Sequence, residues 1–204
     1  MTAKGPILGV DDDKDVRESL RALLESDGHV VYTYGSAKAV LADDVAAGSC
    51  LIADIRMSEM DGLQLQEELI KRGFGLPVIV ITGHGDVPLA VRAMKAGAAD
   101  FIEKPFAADE ILQSVRNALD VGKRVRDKKS EAIRAQQALA VLTPREREVF
   151  DQVVAGHPNK IAAYELGISP RTVEIHRAHV MSKMRVRNLS DLVRISLAAS
   201  ADIN

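Results

Sequence analysis

Cys50-Leu51-Ile52-Ala53-Asp54 decides the fold: four apolar residues closed by a carboxylate form a run too short for a helix and long enough for one strand buried on both faces of a parallel sheet. An open α/β sheet collects its chemistry at such strand ends. Two more segments lead to the same edge: Ile7 to Val10 runs into Asp11-Asp12-Asp13, and Asp100-Phe101-Ile102-Glu103 delivers Lys104 and Pro105. Apolar runs near residues 30–34 and 77–82 bring the strands to five, separated by helical stretches of roughly a dozen residues, which is the pattern of a doubly wound α/β sheet.

Three carboxylates and an ammonium converging on one edge define the expected chemistry. Like charges within a few ångströms do not all stay ionised without a counter-ion, so Asp11, Asp12 and Asp54 call for a hard cation with oxygen ligands, Mg2+. Mg2+ typically joins one or two carboxylates to phosphate oxygens, so the pocket reads as a phosphoryl-transfer site with Asp54 as the acceptor that becomes an aspartyl phosphate. Asp13 is read instead as the N-cap of the next helix. No GxGxxG or GxxxxGK[ST] loop is present, so nucleotide binding by these motifs is not supported.

These residues resemble the receiver domains of two-component response regulators, with a CheY-like fold, over residues 7 to about 120. The resemblance rests on Asp11-Asp12, Asp54, Met57-Ser58-Glu59-Met60-Asp61-Gly62, Thr82, Phe101 and Lys104-Pro105. It implies that Asp11, Asp12, Asp54 and the main-chain carbonyl of Arg56 hold Mg2+, that Lys104 and Thr82 bind the phosphoryl oxygens, that Thr82 and Phe101 switch, and that the Lys104–Pro105 bond is cis. Ser58 stands where the family usually has proline, and Gly9 where it usually has a bulky aliphatic residue.

The chain of 204 residues, 47% hydrophobic, is long enough for two small cores. It holds no apolar run approaching membrane-spanning length, and Met1 to Pro6 is too short and polar for a signal peptide, so a cytoplasmic protein without a membrane partner is expected. The single cysteine, Cys50, is read as a small core hydrophobe.

The net charge of −2 conceals a split. Residues 1–122 carry 12 Lys and Arg against 20 Asp and Glu, or −8, whereas residues 123–204 carry 15 against 9, or +6. The expected organisation is a phosphoacceptor domain over 1–122, a helical linker over 123–140 and a DNA-binding domain over 141–204. The linker continues the helix that begins near Ala107 through Lys123-Arg124-Val125-Arg126-Asp127-Lys128-Lys129, a semi-rigid spacer with Gly122 as its weak point. A basic C-terminal domain suits a polyanion.

That domain opens at Leu142-Thr143-Pro144-Arg145-Glu146, where Thr143 is an N-cap, Pro144 the first helical residue and Glu146 the partner in a capping box. The first helix ends at Gly156. A short helix over 159–166 ends at Gly167, and Ser169-Pro170 repeats the cap-plus-proline signature before a third helix, Arg171 to Met184. Two helices joined by a tight glycine turn make a helix-turn-helix. Leu142 to Val149, Gly156 to Ala162 and Ile168 to Glu174 resemble the all-α output domain of the NarL/LuxR/FixJ class of transcriptional regulators. The segments Thr82-Gly83-His84-Gly85-Asp86-Val87-Pro88-Leu89-Ala90 and Ser169 to His176 look most like its FixJ branch, which implies an oxygen- or redox-responsive sensor kinase.

At 100° per residue from Val173, the residues His176, Arg177, Val180 and Met184 face inward, while Arg171, Glu174, Ile175, Ala178 and Ser182 face outward into the major groove. Glu174 suits a cytosine amino group, Ile175 and Ala178 suit thymine methyls, and Lys160, Arg171, Thr172 and Lys183 suit phosphates. His176 is expected to be packed and hydrogen-bonded. In this class the final helix, Leu189 to Ala199, supplies a dimer contact and implies dyad half-sites; its stripe of Leu192, Ile195 and Ala199 equally suits closure of the domain core.

The function expected is a DNA-binding response regulator. A sensor histidine kinase phosphorylates Asp54, the receiver dimerises through the helix after Asp86 and the strand at Asp100, and the acidic receiver ceases to mask the output domain. An enzyme with its own substrate is not expected: the DxDx[TV] signature of aspartyl-phosphate hydrolases is not met by Asp11-Asp12-Asp13-Lys14-Asp15. The remaining rival is a phosphorylation-independent DNA-binding protein.

Overall fold

The structure, a computed structural model, describes residues 5–43, 45, 48–83 and 87–200. The chain divides into two compact units, Met1–Arg124 and Val125–Asn204. His84, Gly85 and Asp86 of the FixJ-like loop, and residues 1–4, lie outside the described residues.

In the first unit, strands β1 (Ile7–Val10), β2 (Val31–Tyr34), β3 (Cys50–Asp54), β4 (Val78–Thr82) and β5 (Asp100–Glu103) form one parallel sheet in the order β2-β1-β3-β4-β5. Every residue of β1, β3 and β4 is buried, which is why these runs are apolar without alternation. Side chains alternate between the two faces. Leu51, Ala53, Val78 and Val80 share one core with Val40 of α2 (Ala37–Ala42), Leu65 and Leu69 of α3 (Gly62–Lys71) and Ala93 of α4 (Val87–Lys95). Cys50, Ile52, Ile79, Ile81 and Ile102 share the other with Leu20 and Leu24 of α1 (Lys14–Ser26) and Ile111, Val115 and Ala118 of α5 (Ala108–Ala140). Burial pushes the Cys50 thiol up to about 12, as befits a core side chain.

Gly9 costs this core little. A Cβ there would already lie 3.4 Å from Leu20 Cδ2 and 3.5 Å from Thr33 Cγ2, so Leu20 fills the space a larger side chain would need. Helix α5 is unbroken, with Gly122 inside it. Among the described residues no helix is long and apolar enough to cross a membrane.

The second unit packs α6 (Pro144–Val154), α7 (Asn159–Leu166), α8 (Pro170–Lys183) and α9 (Leu189–Ala199) around Val149, Phe150, Val153, Ala162, Ala163, Val173, Val180, Met184 and Leu192. Leu139, near the end of α5, belongs to the same core. The caps act as their residue types dictate: Thr143 and Glu146 close a capping box on α6, and Ser169 accepts the Thr172 amide on α8. Gly167, at φ +66°, closes α7 with the left-handed turn that lets α8 double back. Ile195 and Ala199 of α9 pack with Leu192 on this core, so the α9 stripe closes the unit.

Candidate functional site

The switch point of the sheet, where β1 leads to β2 on one side and β3 to β4 on the other, holds the acidic pocket. Asp11 follows β1 and Asp54 ends β3, and both are buried, at 2% and 4% exposure. Lys104, delivered by β5, donates from Nζ to Asp11 Oδ2 and to Asp54 Oδ1, at 2.7 Å each. The peptide bond from Lys104 to Pro105 is cis. Asp11 is held from two sides: its Oδ1 accepts the Asp13 amide at 2.9 Å, and Arg17 donates to its carbonyl at 2.7 Å. Asp13 caps α1, accepting from the amides of Asp15 and Val16. Thr82 closes β4 fully buried, its carbonyl accepting the Lys104 amide at 2.7 Å. Phe101 on β5 is half-buried against the core that contains α3 and α4.

Burial raises the pKa of Asp54. The hydrogen bond and charge of Lys104 oppose that rise, the charge of Asp11 adds to it, and the Arg56 amide lowers it by donating to the carboxylate. Burial likewise works against the charge of Lys104, but the hydrogen bonds to Asp11 and Asp54 outweigh it and hold its pKa above the ordinary value. A partly buried ammonium and two buried carboxylates leave one negative charge uncompensated. That surplus, with two carboxylates side by side, fits Mg2+, which needs only one or two carboxylates and completes its shell with water.

Of the three aspartates expected to converge, the structure brings together Asp11 and Asp54. Asp12 is exposed, and among the described residues no three acidic, histidine or cysteine side chains are grouped to hold a metal. β1 ends at Val10, and Asp12 lies in the bend between Asp11 and the Asp13 cap of α1.

Gly62, the first residue of α3, sets the back wall. A Cβ there would lie 2.4 Å from the Asp54 carbonyl oxygen, so only glycine lets α3 approach the acceptor strand this closely. In the preceding loop Glu59 takes φ +71° and its carboxylate meets Lys38 at 2.9 Å.

In the second unit, the outward residues of α8 form a shallow concavity lined by Arg171, Glu174, Ile175 and Ala178, all exposed. Val173, Val180 and Met184 are buried and His176 and Arg177 half-buried, as the angular division requires. Arg177 pairs with Asn159 Oδ1 at 3.3 Å, whereas the buried His176 Nδ1 has no hydrogen-bond partner among the described residues, because helical period places the ring without choosing its neighbours. Lys160 is exposed on α7 and Thr172 is half-buried beside Ser169. Lys183 stays exposed while it donates from Nζ to Glu146 Oε2 at 2.7 Å.

Two family profiles match this architecture: the response regulator receiver domain over residues 7–116 and the bacterial regulatory proteins of the luxR family over residues 140–196. The chain is a response regulator of the LuxR/FixJ class. The transcriptional regulatory protein FixJ of Azorhizobium caulinodans is 49% identical over 197 residues, covering 95% of this chain and 92% of that one. Its namesake in Rhizobium meliloti is 48% identical over 191 residues, with 93% of each chain covered. Among solved structures, the response regulator StyR superposes with a TM-score of 0.84 at 40% identity, over 96% of this chain and 99% of that one. Full-length FixJ from B. japonicum gives 0.58 at 41% identity, over 97% and 98%.

Two features of this response regulator escaped the sequence reading. The close approach of Gly62 had a signal in the Asp61-Gly62 pair, which reads only as a cap and a turn. The partnership of Glu146 with Lys183 had none, because helical periodicity assigns a face and not the neighbour across it.

Proposed function

We propose that this regulator is switched by phosphorylation of Asp54 and responds by binding double-stranded DNA through α8. The observation that carries this reading is the single ammonium of Lys104 shared by Asp11 and Asp54 at the carboxyl ends of the central strands. The donor is a sensor histidine kinase: a carboxylate oxygen of Asp54 attacks the phosphorus, and the phosphoryl group leaves the kinase histidine. Asp11, Asp54 and the Arg56 carbonyl, with Asp12 at the rim, would hold Mg2+, which would supply positive charge to the phosphoryl oxygens.

The chain's own residues convert that event into a switch. Phosphorylation adds about 1.5 to 2 negative charges and three acceptor oxygens in a buried pocket. Lys104 transfers its bond from the Asp54 carboxylate to a phosphoryl oxygen, Thr82 moves to another, and Phe101 follows Thr82 inward. Moving a two-state equilibrium from about 1:99 to 99:1 takes about 5.5 kcal/mol, within reach of a few charge-assisted bonds in a water-poor site. Dimerisation through α4 and β5 is supported by the exposed apolar residues Val87, Val91 and Met94 on α4. The charge split between the halves supports relief of masking as a second consequence.

On DNA, Glu174, Ile175 and Ala178 read base edges, while Lys160, Arg171 and Thr172 fix the backbone register. A phosphorylated pair presents two such helices to half-sites related by a dyad. The organisation is a receiver over 1–122, a helical connection over 123–140 and an output domain over 141–204, in a cytoplasmic protein with no chemistry beyond its own phosphorylation and dephosphorylation. Acetyl phosphate with Mg2+ tests the switch. Intact-mass measurement is expected to show one phosphoryl group on the wild type and none on Asp54→Asn, and incorporation persisting in Asp54→Asn would place the acceptor elsewhere.

A further inference from the structure

The output unit contains a buried carboxylate that neither the phosphoryl chemistry nor the base contacts use. Glu146, in the first turn of α6, is 4% exposed. Its Oε2 accepts the Thr143 amide at 2.8 Å, the Thr143 hydroxyl at 3.0 Å and Lys183 Nζ at 2.7 Å. His179 Nδ1 stands 4.0 Å from its other oxygen. Thr143 and Glu146 belong to α6, whereas His179 and Lys183 are one turn apart in the C-terminal half of α8. One carboxylate, fixed by a capping box at the start of one helix, therefore anchors the far half of the helix that faces DNA.

The anchor has little freedom. A buried carboxylate keeps its ammonium partner, because losing it would leave an uncompensated charge out of water. The bases, in turn, are read by Glu174, Ile175 and Ala178, which lie about 180°, 80° and 140° around α8 from Lys183 and are all exposed and unsupported by core packing. A rotation of α8 by about 10° moves a side-chain tip lying about 5 to 6 Å from the helix axis by about 1 Å, enough to break a base-edge hydrogen bond.

We propose that Glu146 is a positioning residue for DNA sequence recognition, that it sets the rotation of α8 through Lys183, and that Lys183 acts through this pair and not as a phosphate contact. The inference rests on the reading of α8 as the helix that enters the groove. It replaces the assignment of Lys183 to the DNA backbone with an internal role, since an ammonium committed to a buried carboxylate is not available to release a counter-ion.

The test uses the full chain phosphorylated with acetyl phosphate, a duplex selected by the wild type from a random-sequence pool, and the unselected pool as the nonspecific probe. Lys183→Met is expected to lower the preference for the selected duplex about tenfold or more while leaving the slope of log affinity against log salt unchanged. Glu146→Gln, which retains an acceptor for Thr143, is expected to do the same, and the double variant to lose no more than either alone, because the two residues act as one unit. A slope reduced by about one unit in Lys183→Met, with preference intact, would make Lys183 a phosphate contact and overturn the proposal. Wild-type preference in Lys183→Met would overturn it too, and that variant decides the matter even if Glu146→Gln fails to fold, because Lys183 is partly exposed. A wild-type chain that enriches no duplex would overturn the DNA-binding reading itself, and this inference with it.

Discussion

Replacing Gly62 with alanine joins the fold to the chemistry at a single atom. The new Cβ would sit 2.4 Å from the carbonyl oxygen of Asp54, 3.1 Å from its carbonyl carbon and 3.3 Å from Ile55 Cα, all of them backbone atoms that no rotamer change can move. To reach even 3.0 Å, α3 and the end of β3 must separate by about 0.6 Å, and overpacking of this kind costs about 1 to 3 kcal/mol. The displaced strand end carries the acceptor carboxylate, whose bond to Lys104 is 2.7 Å long. A misplacement of about 1 Å at a reacting group costs about a hundredfold in rate, so a shift of about 0.6 Å should slow phosphorylation by about tenfold. Calorimetric melting and the rate of labelling by acetyl phosphate with Mg2+ measure the two effects on one preparation of the full chain. Gly62→Ala with wild-type melting and wild-type labelling would refute the reasoning, and lost stability at an unchanged rate would show that the strain is relieved away from the acceptor.

Three further outcomes follow from the same structure. Asp54→Asn should raise the melting temperature of the unphosphorylated receiver, because it removes a carboxylate that burial and the charge of Asp11 disfavour; a lower melting temperature would show that the bond from Lys104 dominates. Thr143→Ala removes the cap of α6 and should cost the output unit about 1 kcal/mol in urea unfolding, with no change in Asp54 labelling. The hydrogen bond from Lys183, and then that from the Thr143 amide, hold the Glu146 carboxyl down to about 2 from its ordinary 4.5, so its contribution to stability is complete above pH 4.5 and is lost as pH falls toward 2. Glu146→Gln should flatten that part of the acid-unfolding curve, and an unchanged slope would contradict the assignment.

Much of the molecule is legible in its sequence wherever a physical rule acts locally. The run from Cys50 to Asp54 is short, apolar and closed by a charge, and it is one buried strand ending at the site. Thr143-Pro144, Ser169-Pro170 and Gly167 mark helix ends because caps and left-handed turns are made by particular residue types. The angular division of α8 holds because a helix has one period. Contacts between elements were not legible. Asp12 follows Asp11 in sequence yet stays exposed, since the choice between neighbours depends on how β1 enters the pocket. Lys183 reads as an outward cation, and its bond to Glu146, 37 residues earlier, follows from how α6 and α8 pack and not from the period of either helix. Gly122 reads as the weak point of a helical spacer, and α5 runs through it unbroken.

The central claim is that a phosphoryl group on Asp54 controls how this chain binds DNA. Its most direct test is the affinity of the full chain for a duplex selected from a random pool, measured at one fixed salt concentration before and after treatment with acetyl phosphate and Mg2+, in the wild type and in Asp54→Asn. The account predicts that treatment tightens binding by the wild type about tenfold or more, within the range of about 5- to 150-fold for a coupling of 1 to 3 kcal/mol, and leaves Asp54→Asn unchanged. Equal affinity of the treated and untreated wild type, with Asp54 demonstrably phosphorylated, would contradict it.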